Sequence, residues 1–524
     1  MKDYMKTIKT WTLLVAGLLL TASCANDDVT QKDTETDNGN DKNLTTFVTG
    51  AEPTSRTSMD YASGKFYWES GDYIYVQDDD GAWQKSSNAP TTKTAYFTFK
   101  VPGKFKNSTT YKVYYPGKNG SNDQVTISAA QTQETPNTTA HFGASGDCGI
   151  ADATGTKGRG PFNFTLDHQA AYLVFHPYVS NTLLQKCNLT KIEVSSDNDI
   201  TDTYTLTSTG ALTDGSGTGK QIILTTGGSG TYANGFPLNT TSASVTTNGA
   251  YMVIKPGTHT LKVRYWLKDV ATGIEGTVTK AFKAFNYDVN NYYDIDGNLN
   301  IRDYDGDHYY MWDAQEQYWK GHEWWSANKD QPVLNGDING NFAQSNSDPR
   351  YYNTSFPGYG ISYAATHASC KDLPNANELS WYCMYGDPRW DTDELWTTMG
   401  HLYKGGMWFK KKSVLQAKGH YDTEKSADGT TDARTTRKYY ENRSSSITSS
   451  GLPSAADAGN YFYLPALGHY VSGQLYYLGM DGYYWSSSAD PGYSSSAYFL
   501  LFSSSYICSY YFDRYYGYRV GGFE

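Results

Sequence analysis

Short segments in which apolar and polar residues alternate, each closed by a turn dipeptide, recur through the first half of this chain and point to antiparallel sheet. Lys65-Phe66-Tyr67-Trp68, Tyr73-Ile74-Tyr75-Val76, Ala95-Tyr96-Phe97-Thr98-Phe99 and Tyr111-Lys112-Val113-Tyr114-Tyr115 are separated by Gly71-Asp72, Asp80-Gly81, Pro102-Gly103 and Pro116-Gly117. Successive side chains of a strand point to opposite faces, so this pattern buries one face and wets the other. Helical spacing is nearly absent. The rhythm of strands and turns predicts two antiparallel β-sandwiches, over residues 45–160 and 161–297. The glycine-rich stretch 143–160 contains Gly155-Thr156-Lys157-Gly158, but it lacks the Gly-Lys-Ser/Thr ending of a phosphate loop and no helical pattern follows. It is read as the linker between the sandwiches.

Lys2, Lys6 and Lys9 precede an apolar run over residues 11–20 that is too short to cross a bilayer, as in a signal peptide ending at residue 23. Leu20-Thr21-Ala22-Ser23-Cys24 resembles the lipobox of bacterial lipoproteins. That resemblance implies that Cys24 is acylated and anchors the protein in the cell outer membrane, exposed at the surface. In an ordinary secretory leader Cys24 would be incidental. Residues 24–44 hold almost no apolar residue and are expected to be a disordered tether. A net charge of -11 argues against a nucleic-acid partner, whose phosphates require a basic face. Cys148, Cys187, Cys370, Cys383 and Cys508 show no CxxC spacing, so neither a disulfide framework nor a zinc site is indicated, and no cofactor is implied.

Arg56-Thr57-Ser58-Met59-Asp60, followed by Phe66, Trp68, Gly71-Asp72 and Ile74, resembles the opening of fimbrillin-family proteins, the pilins and pilus tip proteins of Bacteroidales. Phe164-Thr165-Leu166-Asp167-His168 with Ala171-Tyr172-Leu173-Val174-Phe175 resembles the first strands of that family's second domain, and Asn291-Tyr292-Tyr293-Asp294-Ile295 its last. The resemblance implies a place on fimbriae and pilin subunits as partners, joined by strand addition. It also implies processing by an arginine-specific cleavage, for which Arg56 is the candidate.

The character of the sequence changes near residue 298. Asp303-Tyr304-Asp305-Gly306-Asp307 resembles part of a calcium loop but lacks the closing glutamate, so a hydrated turn is the plainer reading. Pro374, with Leu379, Tyr382 and Cys383 at helical spacing beyond it, predicts a short helix, then a turn and a strand up to Phe409. Residues 419–450 are charged and Ser/Thr-rich and are expected to form a long loop. Four later segments carry a second resemblance: Tyr463-Leu464-Pro465-Ala466-Leu467-Gly468, Gly482-Tyr483-Tyr484-Trp485-Ser486-Ser487-Ser488, Ala497-Tyr498-Phe499-Leu500-Leu501-Phe502 and Arg514-Tyr515-Tyr516-Gly517-Tyr518-Arg519-Val520. They resemble the C-type-lectin-like domains at the ends of Bacteroidales surface proteins, in particular those whose last segment is varied by diversity-generating retroelements. The resemblance implies an α+β lectin-like ligand-binding domain over residues 298–524.

Within 497–502, alternation puts Tyr498, Leu500 and Phe502 on a core face and turns Phe499 and Leu501 to the other side. Residues 482–524 contain ten Tyr and ten Ser in 43 positions. Antibody paratopes use the same mixture, rigid aromatic area with small adaptable spacers. The window 493–518 holds no Lys, Glu, Gln, Met or Trp, the residues that randomising both adenines of an Asn codon cannot produce. The expected binding face therefore consists of Tyr493, Ser495, Phe499, Leu501, Ser503 and Ser505, continuing through Tyr506, Ser509, Tyr510, Tyr511, Phe512, Asp513, Tyr515 and Tyr516. Its ligand would be a protein or glycan on a host, microbial or phage surface. On the plainer reading, these tyrosines line sheet surfaces as others do in this Tyr-rich chain.

No Gly-x-Ser-x-Gly elbow or His-Glu-x-x-His helix is present, and His367, His401 and His420 are scattered. An enzyme is therefore not expected. The lectin-like fold also serves enzymes that oxidise a sulfatase cysteine; that alternative would need thiol chemistry from Cys370, Cys383 or Cys508. A second alternative is a glycan-binding surface lipoprotein with no pilus role.

Overall fold

The computed structural model describes residues 44–49, 58–62, 65–447 and 451–524. The expected signal peptide, Cys24, most of the tether and Arg56 lie outside the described residues.

The described chain is mostly β-sheet. In its first part, Leu44–Thr49 lies inside an eight-stranded sheet, parallel to Phe162–Phe164 and antiparallel to Thr98–Pro102. Alternation in these strands sends Phe47, Phe99, Val113, Tyr115 and Phe162 to one core. Trp68 fills its centre, with ring centroids of Phe99 at 5.0 Å and Tyr115 at 5.6 Å. The reading of 143–160 as a linker is corrected here, because Gly149–Thr154 is an inner strand pairing along its length with Thr110–Tyr115. Small residues face large ones: Ala151 and Ala153 are buried beside Val113 and Tyr111, and a Cβ on Gly149 would meet Leu166 at 2.7 Å. Close packing thus demands the small residues that resembled a linker.

Two strands that precede residue 160 serve the sheets beyond it. Gln124–Ile127 pairs with Asp202–Leu206, and Ala130–Gln133 runs parallel to Gln221–Thr226. The second core lies between a nine-stranded sheet and the three-stranded sheet of Ala250–Ile254, Ala171–Phe175 and Tyr292–Ile295. Ala171–Phe175 is buried on both sides, with Leu173 and Phe175 in this core and Tyr172 and Val174 in another with Phe66 and Phe142. That explains its unbroken apolar sequence.

The nine-stranded sheet continues into the C-terminal half. Glu275–Ala281 meets Arg389–Thr398 in parallel at Thr277 and Glu394, and Arg389–Thr398 forms a hairpin with His401–Lys410. Where a short helix, a turn and one strand were expected, the chain forms helix Ala376–Tyr385 and then two strands. The helix starts at a capping box, with Asn375 accepting from the Glu378 amide and Glu378 from the Asn375 amide. The hairpin turns at Met399 and Gly400, both at positive φ (47° and 77°), as a two-residue turn of matching twist requires. A last sheet joins Tyr309–Tyr310, Tyr518–Arg519, Gly482–Ala489, Ser496–Phe502, Ile507–Asp513 and Tyr440–Asn442.

Side chains reinforce the Thr277–Glu394 seam. The buried Glu394 carboxylate accepts from the Thr279 amide at 2.9 Å and the Thr277 hydroxyl at 3.0 Å, while Arg264 pairs with Asp391 at 2.9 Å. Burial, and then the Asp391 charge, push the Glu394 carboxyl up to about 7. A folded-state pKa above the unfolded value of 4.5 means that the native state binds the extra proton, so this stabilisation is present at low pH and is lost as pH rises from about 4.5 to 7. Glu394→Gln should remove that loss: in urea unfolding at pH 5 and pH 8, the wild type should lose stability relative to the variant. Equal pH dependence in both would contradict the assignment.

Candidate ligand-binding face

Ser496–Phe502 and Ile507–Asp513 pair antiparallel from Ser496 opposite Asp513 to Phe502 opposite Ile507. Leu500, Phe502 and Ile507 pack into a core with Leu379, Tyr382 and Phe462, while Tyr498 packs against Ala376 and Ala433. This is the inward face that alternation predicts. The opposite face differs from expectation. Phe499 is only 3% exposed, enclosed by Trp485, Tyr483, Tyr510 and Tyr518 with the nearest ring centroid at 4.8 Å. Trp312 and Val520 complete the cover. Phe499 is therefore a second-core residue and not a contact for a ligand. Ser503 and Ser509 are buried as well.

The other expected residues reach the surface. Tyr493, Phe512 and Tyr515 are 54%, 43% and 37% exposed, Ser495 and Ser505 are exposed, and Leu501, Tyr506, Tyr510, Tyr511, Asp513 and Tyr516 are half-buried. They form two aromatic groups linked along one strand by Tyr510 and Phe512, which project to the same side. In one group the Arg437 guanidinium lies 3.7 Å from the Tyr511 ring centroid and 4.0 Å from that of Tyr493. Its charge is met by buried Asp490 at 3.0 Å. Tyr510 stacks on Tyr511 at 4.7 Å, and exposed Tyr439 meets Tyr510 edge-on at 5.6 Å. In the other group Phe512 stands edge-on to Tyr516 at 5.1 Å and Tyr515 stacks on Tyr516 at 5.0 Å. Tyr516 continues to His469, itself beside Tyr476 and Tyr477. His469 is buried, which lowers its pKa to about 4, so its neutral ring packs beneath Tyr516 and Tyr476 as part of their support.

Arg437, Tyr439, His469, Tyr476 and Tyr477 were absent from the expected site. Tyr439 stands in a Tyr pair within an otherwise Ser/Thr-rich loop, a signal available in the sequence. Tyr477 holds φ at 57°, a region that bulky residues rarely occupy, while its ring is largely exposed.

Arg514 fixes this arrangement from beneath. Fully buried, it donates from Nε to the Ser496 carbonyl at 3.0 Å and from Nη1 to the Asn353 and Ser355 carbonyls at 2.9 and 3.0 Å, with its guanidinium 4.4 Å from the Trp312 ring. Burial lowers its pKa to about 10, which leaves it charged.

Cys370, Cys383 and Cys508 are buried free thiols. Burial pushes Cys370 and Cys508 up to about 12, and Cys383 also well above the ordinary thiol value. They stay protonated at neutral pH and lack the nucleophile that thiol chemistry needs. This weighs against the cysteine-oxidising alternative.

No family model and no curated protein matches the chain. Among solved structures, it is similar to a provisionally named cell adhesion protein from Bacteroides ovatus (13% identity, TM-score 0.31, 49% of this chain and 92% of that one). A provisionally named cell adhesion protein from Bacteroides uniformis gives 17% identity and a TM-score of 0.24 over 46% of this chain and 88% of that one. A fimbrial protein from Bacteroides ovatus gives 11% identity and a TM-score of 0.25 over 91% of this chain and 98% of that one.

The burial of Phe499 and the exposure of Tyr515 separate packing from surface. Phe499→Ala should cost about 3–5 kcal/mol of stability, whereas Tyr515→Ala should change it by no more than about 0.5 kcal/mol. Urea midpoints of the two variants check this, and equal losses would place Tyr515 in the core.

Proposed function

We propose that the protein is a cell-surface adhesin that recognises a protein or glycan through the aromatic face of its C-terminal region. In this reading residues 45–297 form a fimbrillin-like stem, and residues 298–524 form a C-type-lectin-like ligand-binding end. Cys24 carries a lipid that tethers the chain to the outer membrane until any cleavage after Arg56. The observation that carries the reading is the cluster of outward aromatic side chains, Tyr439, Tyr493, Phe512 and Tyr515, over a fixed base. Groups of exposed aromatic rings such as these mark interaction surfaces, and rigid aromatic anchors dominate binding energy where they are used. The test is binding of the purified protein to arrays of glycans and of cell-surface proteins. Tyr510→Ala, Tyr511→Ala and Tyr515→Ala should each weaken the captured interaction by about 1–3 kcal/mol; a triple variant that binds as well as the wild type would move the site elsewhere.

Diversification of the last segment belongs to the same proposal. The invariant work of packing falls to Phe499, Arg514 and Tyr518, while the side chains between them at the surface are free to change. An adenine-rich near-copy of the last coding segment beside a reverse-transcriptase gene would support it.

A pilus role is favoured by one feature of the first sheet. Leu44–Thr49, with Phe47 fully buried, occupies a place between Phe162–Phe164 and Thr98–Pro102, and it precedes Arg56. Cleavage after Arg56 would release that strand and leave a groove for one from a neighbouring pilin. Mass spectrometry of the mature surface protein should then find no residues 25–56, and gels run under mild denaturation should show ladders. A mature protein that keeps residues 25–56 would leave the reading as a non-pilus surface lipoprotein.

A further inference from the structure

Along Leu261–Asp269, Leu261, Val263, Tyr265 and Leu267 enter the middle core, so Lys262 and Arg264 stand on the opposite face. The C-terminal half of the chain covers both. Lys262 is 8% exposed, and its Nζ donates to the Pro453 carbonyl at 2.6 Å. Arg264 has a counter-charge in Asp391 at 2.9 Å. Among the described residues no carboxylate stands within ion-pair distance of Lys262. Asp391 is already engaged by Arg264, by the Trp408 indole at 3.1 Å and by the Asp393 and Glu394 amides. An ammonium offers three donors, and a single neutral acceptor is a poor replacement for water around a buried charge. Burial accordingly holds the Lys262 pKa below the ordinary lysine value.

Lys262 also lines a cavity of about 230 Å³. Trp408, Tyr461, Leu452 and Ala281 give it apolar walls, and Gly459 stands at its exposed rim. Asp391 and Thr279 also line it, but Arg264 meets the Asp391 charge at 2.9 Å and the Thr279 hydroxyl donates to Glu394. Lys411, the other lining cation, is paired with Glu524 at 3.4 Å. The cavity therefore offers one under-used positive charge at the end of an apolar, partly aromatic space. We propose that it binds a small organic monocarboxylate, whose carboxylate accepts from Lys262 Nζ while its apolar body lies against Trp408 and Tyr461. A phosphate dianion would find too few donors for its oxygens, and a neutral ligand would leave the ammonium as poorly satisfied as before. This site is separate from the tyrosine face and does not depend on the adhesin reading.

Benzoate and its neutral isostere benzamide test the proposal by calorimetry on the whole protein. Benzoate should bind saturably, with benzamide at least about tenfold weaker. Lys262→Met, which keeps the length of the stem, should abolish benzoate binding, and Lys262→Arg should retain it; melting temperatures check that both variants fold. The proposal is overturned if benzoate fails to bind at about 10 mM, if benzamide binds equally well, or if folded Lys262→Met binds benzoate like the wild type. Should Lys262→Met fail to fold, the comparison of benzoate with benzamide on the native protein decides alone.

Discussion

A buried guanidinium, paired with no carboxylate among the described residues, holds the C-terminal face in shape. Arg514 donates from Nε and Nη1 to carbonyls of Ser496, Asn353 and Ser355, while Nη2 is buried with no hydrogen-bond partner among the described residues, and its own amide donates to the Ser495 carbonyl at 2.8 Å. Burying a charge is expensive unless its hydrogen bonds are filled and well aimed. Here every acceptor is main chain, from two segments far apart in sequence, so these hydrogen bonds do not depend on the identity of the exposed side chains nearby. Exposed neighbours such as Tyr493, Ser495 and Tyr515 can then differ in identity without loosening the strand ends that carry them. A surface that recognises by side-chain identity needs such a base, because ordering a mobile loop on binding would subtract from affinity.

The seam between the middle and last parts of the chain follows a similar logic. At the meeting of Glu275–Ala281 with Arg389–Thr398 only one residue pair is in ladder register. A side-chain carboxylate, Glu394, takes the Thr279 amide that a further strand residue would otherwise accept. Buried amides require acceptors, and a carboxyl that is easily protonated there reduces the cost of placing a second acid beside Asp391. Hydrogen bonding thus runs unbroken through one sheet from Ala130–Gln133 to Tyr461–Pro465.

Much of this architecture was legible from local patterns. Alternation located Thr110–Tyr115 and Ser496–Phe502 and assigned Tyr498, Leu500 and Phe502 to the inner face correctly. Pro374, with Leu379, Tyr382 and Cys383 at helical spacing beyond it, marked the helix Ala376–Tyr385. Gly149–Thr154 escaped because its small residues owe their presence to Tyr111, Val113 and Leu166 opposite, and residues that match a distant neighbour carry no local signature. Phe499 was misassigned for the same reason. Parity shows which way a side chain points but not what lies there, and the cover over Phe499 includes Trp312, far earlier in the chain. Arg437 joined the face, and His469 its support, through loops and hairpins whose placement no period encodes.

Tyrosine is abundant on both sides of this protein's surface, and its hydroxyl explains how. Buried Tyr309 and Tyr484 donate to the Leu467 and Pro465 carbonyls at 2.6 and 2.7 Å, so in the interior the ring fills space while the hydroxyl satisfies a main-chain acceptor. At the face the rings supply contact area, and the Tyr515 hydroxyl meets the side chains of Tyr516 and Asp513 rather than a main-chain acceptor. Composition alone therefore cannot distinguish a scaffold tyrosine from a binding one. The difference lies in what the hydroxyl touches. The face is where aromatic rings are held by other rings and by Arg437, whose planar cation can rest between Tyr493 and Tyr511 while Asp490 balances its charge from below. A cation so neutralised stiffens the rings without imposing a net charge on the surface. The surface this geometry makes therefore presents shape and aromatic area more than charge.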